Sequence, residues 1–195
     1  MHTLNDFTAD VVARAGAGDR EAFGLIYDRL ERPIYSYTYR MLGDAHDAYD
    51  ITADAFVRLW GALPRATPDT SVSALTFRIA TNLCLDLFRR RARLRWLPWD
   101  AAKHDHLRPA PEADDPAWSA ETREAVAAVR AALARLCPRD RALLLLHDGE
   151  GLSCREVGEA LGLSHSAVKS ARHRAKERLR AAYGAAGPGR MEVVA

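Results

Sequence analysis

Two helical segments separated by a glycine turn occupy residues Gly151–Arg180 of this 195-residue chain. Ser153 and Glu156 stand three residues apart in a capping-box pattern, which begins a helix because each residue satisfies a backbone donor of the other. Gly162 suits the left-handed end of that helix, and Ser164 offers a hydroxyl group to cap the next one. The spacing therefore predicts a helix-turn-helix.

The second helix of this pair combines one apolar stripe with a basic face. Steps of three and four place four residues on the stripe, which can pack on the first helix. These are Val168, Ala171, Ala175 and Leu179. Between Ser164 and Tyr183, six basic residues stand against the single acid Glu177. They are Lys169, Arg172, Arg174, Lys176, Arg178 and Arg180. A basic helix alone also fits a solvated surface, but together with the capping box and turn it indicates binding to nucleic-acid phosphates.

Composition places the chain among ordinary globular proteins. Its 48% hydrophobic content is ample for packed cores, and its net charge is only +2. The charge is uneven, because basic residues outnumber acids after residue 119 but not in the first 91 residues. No apolar run is long enough to span a membrane, and the N-terminus lacks the pattern of a signal peptide. We therefore expect a cytoplasmic protein.

The three cysteines are far apart and lack metal-ligand spacing. Cys84, Cys137 and Cys154 form no C-x-x-C pair and have no nearby pair of histidines. We interpret them as small core residues and expect neither a disulfide framework, nor a metal, nor a cofactor.

Helical periodicity dominates and no stretch alternates as a strand would, which predicts an all-α fold. A proline-rich stretch divides the chain into two small helical domains. The predicted divisions are a domain over 1–96, a flexible linker over 97–118, a domain over 119–183 and a disordered tail over 184–195.

Three helices are expected in the first domain, over about Arg20–Leu42, Ala45–Gly61 and Ala74–Arg93, with a loop at Leu63–Ser73 before the third. The third helix carries a polar ridge, Arg78, Asn82, Asp86 and Arg90, opposite an apolar face of Phe77, Ala80, Cys84 and Leu87. A cluster of arginines follows at the C-terminal end of this helix. Because the amide side chain of Asn82 lies on the same helix and can pair with bases, the cluster indicates nucleic-acid binding. Alternatively, the arginines only complement the helix dipole. Asp86 is expected to pair with Arg90 or Arg78.

The second helix presents an acidic ridge of Asp47, Asp50 and Asp54, with Arg58 one turn further. Such a ridge repels DNA. It suits a protein partner, or it is a solvated face with a weak Asp54–Arg58 pair.

These segments together resemble the extracytoplasmic-function sigma factors of bacterial RNA polymerase. Residues 47–60 are similar to the family's region 2.2, and residues 77–91 to the helix that captures the melted minus-10 element. Residues 133–141 and the helix-turn-helix are similar to region 4, which reads the minus-35 element. Tyr49 and Ala53 depart from the family pattern, as do Leu75, Ala171 and Arg172.

The resemblance implies a promoter-specificity subunit that performs no bond chemistry, whose partners are core polymerase, promoter DNA and, in many members, an anti-sigma factor. Core polymerase would be bound by Asp47, Asp50, Ile51, Asp54, Phe56 and Arg58. Melted minus-10 DNA would be bound by Arg78, Asn82, Arg89 and Arg90, with the loop at Leu63–Ser73 forming part of a pocket for an extruded base. Duplex minus-35 DNA would be bound in its major groove by His165, Ser166, Lys169, Ser170 and His173, with Lys176 and Arg180 on phosphate.

Other interpretations stay open at this point. A two-domain regulator would bind duplex DNA without polymerase, and the basic ridge around Asn82 argues against it. An enzyme would need a metal cluster, phosphate loop or triad-like group, none of which the sequence contains. Trp96, Trp99 and Trp118 either cap a domain core or stack on nucleic acid.

Overall fold

The computed structural model of the chain describes residues 7–67, 70–94 and 120–186. Over these residues the structure is helical without any β-strand, which confirms the all-α prediction. The helices are α1 (Ala9–Gly16), α2 (Arg20–Leu42), α3 (Ala45–Ala62), α4 (Val72–Leu94), α5 (Ala120–Ala134), α6 (Pro138–Leu144), α7 (Cys154–Leu161) and α8 (His165–Ala186). A 3₁₀ turn follows α3 at Leu63–Arg65, and a π-helical turn follows α6 at Leu145–Gly149.

Local capping signals set the ends of the first long helices. The Asp19 side chain accepts a hydrogen bond from the Glu21 amide at 2.9 Å and so starts α2. Gly43, with φ of 77°, ends α2, because a left-handed residue without a Cβ satisfies the last carbonyls. Asp44 then caps α3. The predicted bounds of α2 coincide with the observed ones, while α4 starts two residues earlier than expected because Ser71 caps it through the Ala74 amide at 3.2 Å.

Helices α2, α3 and α4 enclose the core of the N-terminal half, residues 7–94. The Tyr37 and Phe77 rings meet edge to face with centroids 5.4 Å apart, and both side chains are fully buried. The Tyr37 hydroxyl bonds to that of Thr81 at 2.7 Å, so the buried phenol has a partner. This packing fixes α4 against α2.

The C-terminal half, residues 120–186, is built around α6 and the π-helical turn. Leu143 and Leu146 are fully buried there, while Val168 and Ala175 pack from α8 as the apolar stripe predicts. Helix α8 continues to Ala186, so residues 184–186, placed in the tail by the sequence analysis, extend the helix. Alanine favours this extension.

The two halves pack directly against each other, with α4 on α7 and α2 on α6. Their buried apolar residues form one continuous cluster that extends from Ala15 to Ala175. Arg40 pairs with Glu150 across the boundary, and the Arg141 guanidinium donates to the Met41 carbonyl. The predicted linker, the three tryptophans assigned to it and residues 187–195 lie outside the described residues.

The cysteines divide by environment. Cys84 is fully buried, as predicted, and burial raises the pKa of its thiol to about 12. Cys137 is exposed, which corrects its assignment to the core, because it lies at the turn just before α6. Cys154 is partly exposed beside His147. Within the described ranges there is no cluster of metal-ligating side chains, and no helix is long and apolar enough to cross a membrane.

Candidate nucleic-acid interface

The helix-turn-helix has the local geometry that its sequence predicts. Ser153 Oγ accepts from the Glu156 amide at 3.3 Å, and the Glu156 carboxylate accepts from the Ser153 amide at 2.9 Å. Gly162 adopts the left-handed conformation at φ of 64° and ends α7. Ser164 Oγ accepts from the Ala167 amide at 3.2 Å and caps α8. The two helices are therefore fixed at both sides of the turn.

A second glycine allows the turn to close. A Cβ added at Gly158 would lie 2.5 Å from the Leu163 carbonyl oxygen, a distance that backbone packing cannot accommodate. The Leu163 amide donates to the Gly158 carbonyl at 2.9 Å, so the turn folds directly over this residue. Any larger residue at position 158 would push α8 away from α7.

Helix α8 presents an exposed polar surface at its N-terminal end. The predicted minus-35 residues there are all exposed. They are His165, Ser166, Lys169, Ser170 and His173. His173 also lies 3.3 Å from Glu177 one turn further along. Since Val168 and Ala175 are buried on the opposite side, this surface is available to a duplex.

Lys176 is only partly exposed, and it pairs with an acid that lies outside α8. Its Nζ lies 3.2 Å from Asp148 Oδ1, and the Arg172 guanidinium binds the same carboxylate. Burial raises the pKa of Asp148, but hydrogen bonds from Arg172 and Lys176 outweigh burial and hold the pKa below its usual value. The hydrogen bond to Asp148 raises the pKa of Arg172. The sequence analysis missed this acid, which lies in the π-helical turn.

Most of the predicted minus-10 residues lie on the accessible side of α4. Asn82, Arg89 and Arg90 are exposed. Arg78 is half-buried and lines a cleft of about 260 Å³ between α4 and α7, together with Arg155 and Glu159. The structure thus places Arg78 against the other half of the protein.

Asp86 pairs with Arg89, not with Arg78 or Arg90. The i,i+3 spacing brings the two side chains together on one helix surface. Asp86 therefore pairs with an arginine of its own helix, as expected, but that arginine is Arg89.

The loop before α4 is partly ordered by its own hydroxyl groups. Thr70 Oγ1 accepts from the Thr67 amide at 2.9 Å, and Ser71 caps α4. Residues 68 and 69 of this loop lie outside the description. Ser71 and Leu75 line the same cleft as Arg78.

Helix α3 turns two of its predicted polymerase-binding residues inward. Ile51 is 7% and Phe56 4% exposed, because both pack in the core against α2 and α4. Asp47 pairs with Arg91 of α4. Ile51 and Phe56 therefore hold α3 in place, and Asp47, which stays partly exposed, joins α3 to α4. Their contact with core polymerase stays a prediction.

The outer face of α3 is partly apolar. Asp50 pairs with His46 at 3.2 Å and Asp54 with Arg58 at 3.3 Å, and all four side chains are exposed. Beside them lie Tyr49 and Val57, which are 67% and 70% exposed. Sequence analysis noted Tyr49 only as a departure, although residues 49, 53 and 57 follow steps of four and mark one helix face.

Comparison with known proteins places this architecture in a family. A profile described as Sigma-70 region 2 matches residues 26–94, and one described as Sigma-70, region 4 matches residues 127–179. The described helices around α4 and the helix-turn-helix thus correspond to the two promoter-binding regions of sigma-70-type factors.

Curated relatives narrow the class. The chain is 31% identical over 167 residues to the ECF RNA polymerase sigma factor SigW of Bacillus subtilis, covering 84% of this chain and 89% of SigW. It is 37% identical over 147 residues to the ECF RNA polymerase sigma factor SigE of Mycolicibacterium smegmatis, covering 75% of this chain but only 56% of SigE. The chain thus spans little more than half the length of that second relative. It belongs to the extracytoplasmic-function family of RNA polymerase sigma factors, as the sequence predicts.

A solved structure shares the arrangement of helices. CnrH, in complex with the cytosolic domain of CnrY, matches with a TM-score of 0.68 and 26% identity, covering 92% of this chain and 99% of CnrH. The similarity therefore extends over both halves.

Proposed function

We propose that this sigma factor directs core RNA polymerase to its promoters through two DNA-binding surfaces and one docking face. The observation that carries the proposal is the exposed N-terminal surface of α8, held by a capped helix-turn-helix within the segment that matches region 4. The protein supplies binding energy and performs no bond chemistry itself.

The minus-35 surface is the N-terminal part of α8. His165, Lys169 and His173 lie at steps of four on its exposed side, with Ser166 and Ser170 beside them. Side chains at the start of a recognition helix reach base edges in the major groove. Arg180 lies further along the exposed side of the helix, where it would contact phosphate.

The minus-10 surface is the accessible side of α4. The exposed amide of Asn82 can donate to and accept from an unpaired base. Arg89 and Arg90 lie two turns further along and would hold the backbone of the melted strand. Arg78 would join them once the cleft between α4 and α7 is open, and the loop at 63–73 would receive the extruded base.

The docking face for core polymerase is the outer side of α3. Asp50, Asp54 and Arg58 provide its charges, and Tyr49 and Val57 provide apolar surface. An exposed tyrosine is a common anchor in protein interfaces because it buries a large area at low entropic cost. Tyr49 would thus contribute directly to binding.

An anti-sigma factor is a further expected partner. CnrH was solved bound to the cytosolic domain of CnrY, and it resembles this chain over both halves. Because a promoter-specificity subunit works on chromosomal DNA, we place the protein in the cytoplasm.

Run-off transcription with purified core polymerase tests the proposal. We expect specific transcripts from a pool of genomic promoter fragments only when the protein is added. Lys169→Ala should lower promoter binding by the holoenzyme and reduce its salt dependence by about one unit of slope, because one phosphate contact is lost. Arg20→Ala, which removes an exposed cation at the start of α2, serves as the matched control.

One result would contradict the assignment. If the protein gave no transcripts and did not bind core polymerase, yet bound duplex DNA alone, it would be a stand-alone regulator.

A further inference from the structure

A single carboxylate binds two cations of the recognition helix. Arg172 Nε lies 3.1 Å from Asp148 Oδ1 and 3.2 Å from Oδ2, and Lys176 Nζ lies 3.2 Å from Oδ1. Asp148 belongs to the π-helical turn at Leu145–Gly149 and therefore holds α8 from outside the helix. All three side chains are partly exposed, so none is locked in the core.

The two cations lie at the edge of the duplex-facing surface. Lys176 follows Lys169 by seven residues and His165 by eleven, and this spacing places all three on one stripe of the helix. Arg172 lies one turn before Lys176, between that stripe and the buried Val168. Without Asp148, both side chains are long enough to extend from this edge toward a phosphate backbone.

Phosphate contacts are the sequence-independent part of duplex binding. Each cation that neutralises a phosphate adds about 0.9 to the slope of log affinity against log salt concentration. Such contacts raise affinity for every sequence and carry no information about bases. A cation that already has a carboxylate partner contributes less, since that partner must first be displaced.

We propose that Asp148 is a positioning residue that competes with DNA phosphate for Arg172 and Lys176 and so limits the sequence-independent affinity of α8. The proposal deepens the minus-35 role assigned above and rests on it. It assigns Lys176 a weaker phosphate contact than Lys169, although both residues lie on one stripe.

Neighbouring residues of α8 have different partners at this point. Ala171 packs against the core, whereas Arg172 binds Asp148.

A salt titration of the full chain with a mixed-sequence 30-base-pair duplex tests the proposal without knowledge of the promoter. Fluorescence anisotropy gives the affinity at each salt concentration. Asp148→Asn should tighten binding at low salt and steepen the slope by about one to two units, because two cations become available. Asp148→Glu, which keeps the carboxylate, should retain the slope of the unmodified protein.

Asp140→Asn is the matched control. Asp140 pairs with Arg178, which lies two residues beyond Lys176 and hence on the opposite side of α8. Removal of this carboxylate changes the net charge by the same amount but frees a cation that does not face the duplex. The slope should therefore stay unchanged.

Lys176→Ala provides a second test that leaves Asp148 intact. In the unmodified protein it should change the slope by much less than one unit, and in the Asp148→Asn background by about one unit. A full unit in both backgrounds would overturn the proposal, as would an unchanged or shallower slope for folded Asp148→Asn protein. The run-off assay tests the sigma role separately, because core polymerase and promoters do not enter this titration.

Discussion

The N-terminal and C-terminal halves satisfy their buried polar groups in different ways. In the N-terminal half, hydroxyl groups pair between helices, as Tyr37 does with Thr81 at 2.7 Å and Thr38 with Thr52 at 3.0 Å. In the C-terminal half, the charged Arg141 is 7% exposed and donates to the carbonyls of Leu133 at 2.9 Å, Ala134 at 2.6 Å and Met41.

This difference changes what each group connects. A neutral hydroxyl pair joins two helices at one point, and its loss leaves little unsatisfied. Arg141 joins the end of α5 to α6 and also reaches across to α2, and its ring contact with Phe88 of α4 adds a fourth element. Burial lowers the pKa of Arg141, yet five donors allow the charge to be accommodated. Arg141 alone therefore connects four helices, whereas each neutral hydroxyl pair connects only two.

Arg141→Met gives the largest expected effect. It leaves several buried carbonyls without donors and should lower the free energy of unfolding by about 3 kcal/mol. Urea unfolding measures the change. Arg155→Met, at an exposed position on α7, is the control and should change stability by less than about 0.5 kcal/mol. If Arg141→Met lowered the free energy of unfolding by less than about 0.5 kcal/mol, the buried arginine would not contribute more than a neutral pair, and the two halves would not differ in this way.

Replacing one glycine in each half by alanine compares how closely the backbone is packed around it. Gly158→Ala brings a Cβ against the Leu163 carbonyl and should cost about 2 kcal/mol, with weaker duplex binding because α8 shifts. Gly24→Ala, within α2 and with open space around its Cβ, should instead stabilise by about 0.5–1 kcal/mol. Thermal unfolding of both variants measures the two changes in stability. If both variants were stabilised, the close approach of the Leu163 carbonyl would not require glycine at position 158.

Tyr37→Phe tests the neutral hydroxyl pairs of the N-terminal half. It removes the hydroxyl pair with Thr81, whose own hydroxyl still donates to the Phe77 carbonyl at 2.7 Å. The expected loss is about 1 kcal/mol by urea unfolding. Tyr183→Phe, at an exposed position, should leave stability unchanged. A loss as large as that of Arg141→Met would contradict the difference drawn here.

Asp54→Asn should have the smallest effect on stability, about 0.3–0.5 kcal/mol, since it removes only an exposed pair with Arg58. Its effect on core-polymerase binding should be larger, because Asp54 belongs to the proposed docking face. Thermal unfolding and a binding titration with core polymerase separate the two. Asp10→Asn, which removes an exposed i,i+4 partner of Arg14 on α1, is the matched control.

Local signals made much of the fold predictable from the sequence. The bounds of α2 follow from Asp19 and Gly43, and the helix-turn-helix follows from Ser153, Glu156 and Gly162. Each of these residues acts on a backbone group within four positions. Neighbours in the sequence are then sufficient to specify the geometry.

The site was less predictable because it depends on distant partners. Periodicity placed Asp47 on an outward ridge, but its partner Arg91 lies 44 residues away. Lys176 meets an acid 28 positions earlier, in a π-helical turn that has no recognisable sequence pattern. Cys137 was assigned to the core by residue type, whereas its position before Pro138 exposes it.

The direct packing of α4 on α7 has a consequence for the apparent affinity of this protein for promoters. The minus-35 and minus-10 elements lie about 25 base pairs apart, which is about 85 Å of B-form duplex. If α4 and α8 bind the two elements as proposed, both cannot be bound at once while α4 packs on α7, so the two halves must first separate. The measured dissociation constant would then equal the intrinsic one divided by the fraction of molecules in which the halves are apart. On the same proposal, loss of a contact between the halves, as in Arg40→Ala, should tighten promoter binding by raising that fraction.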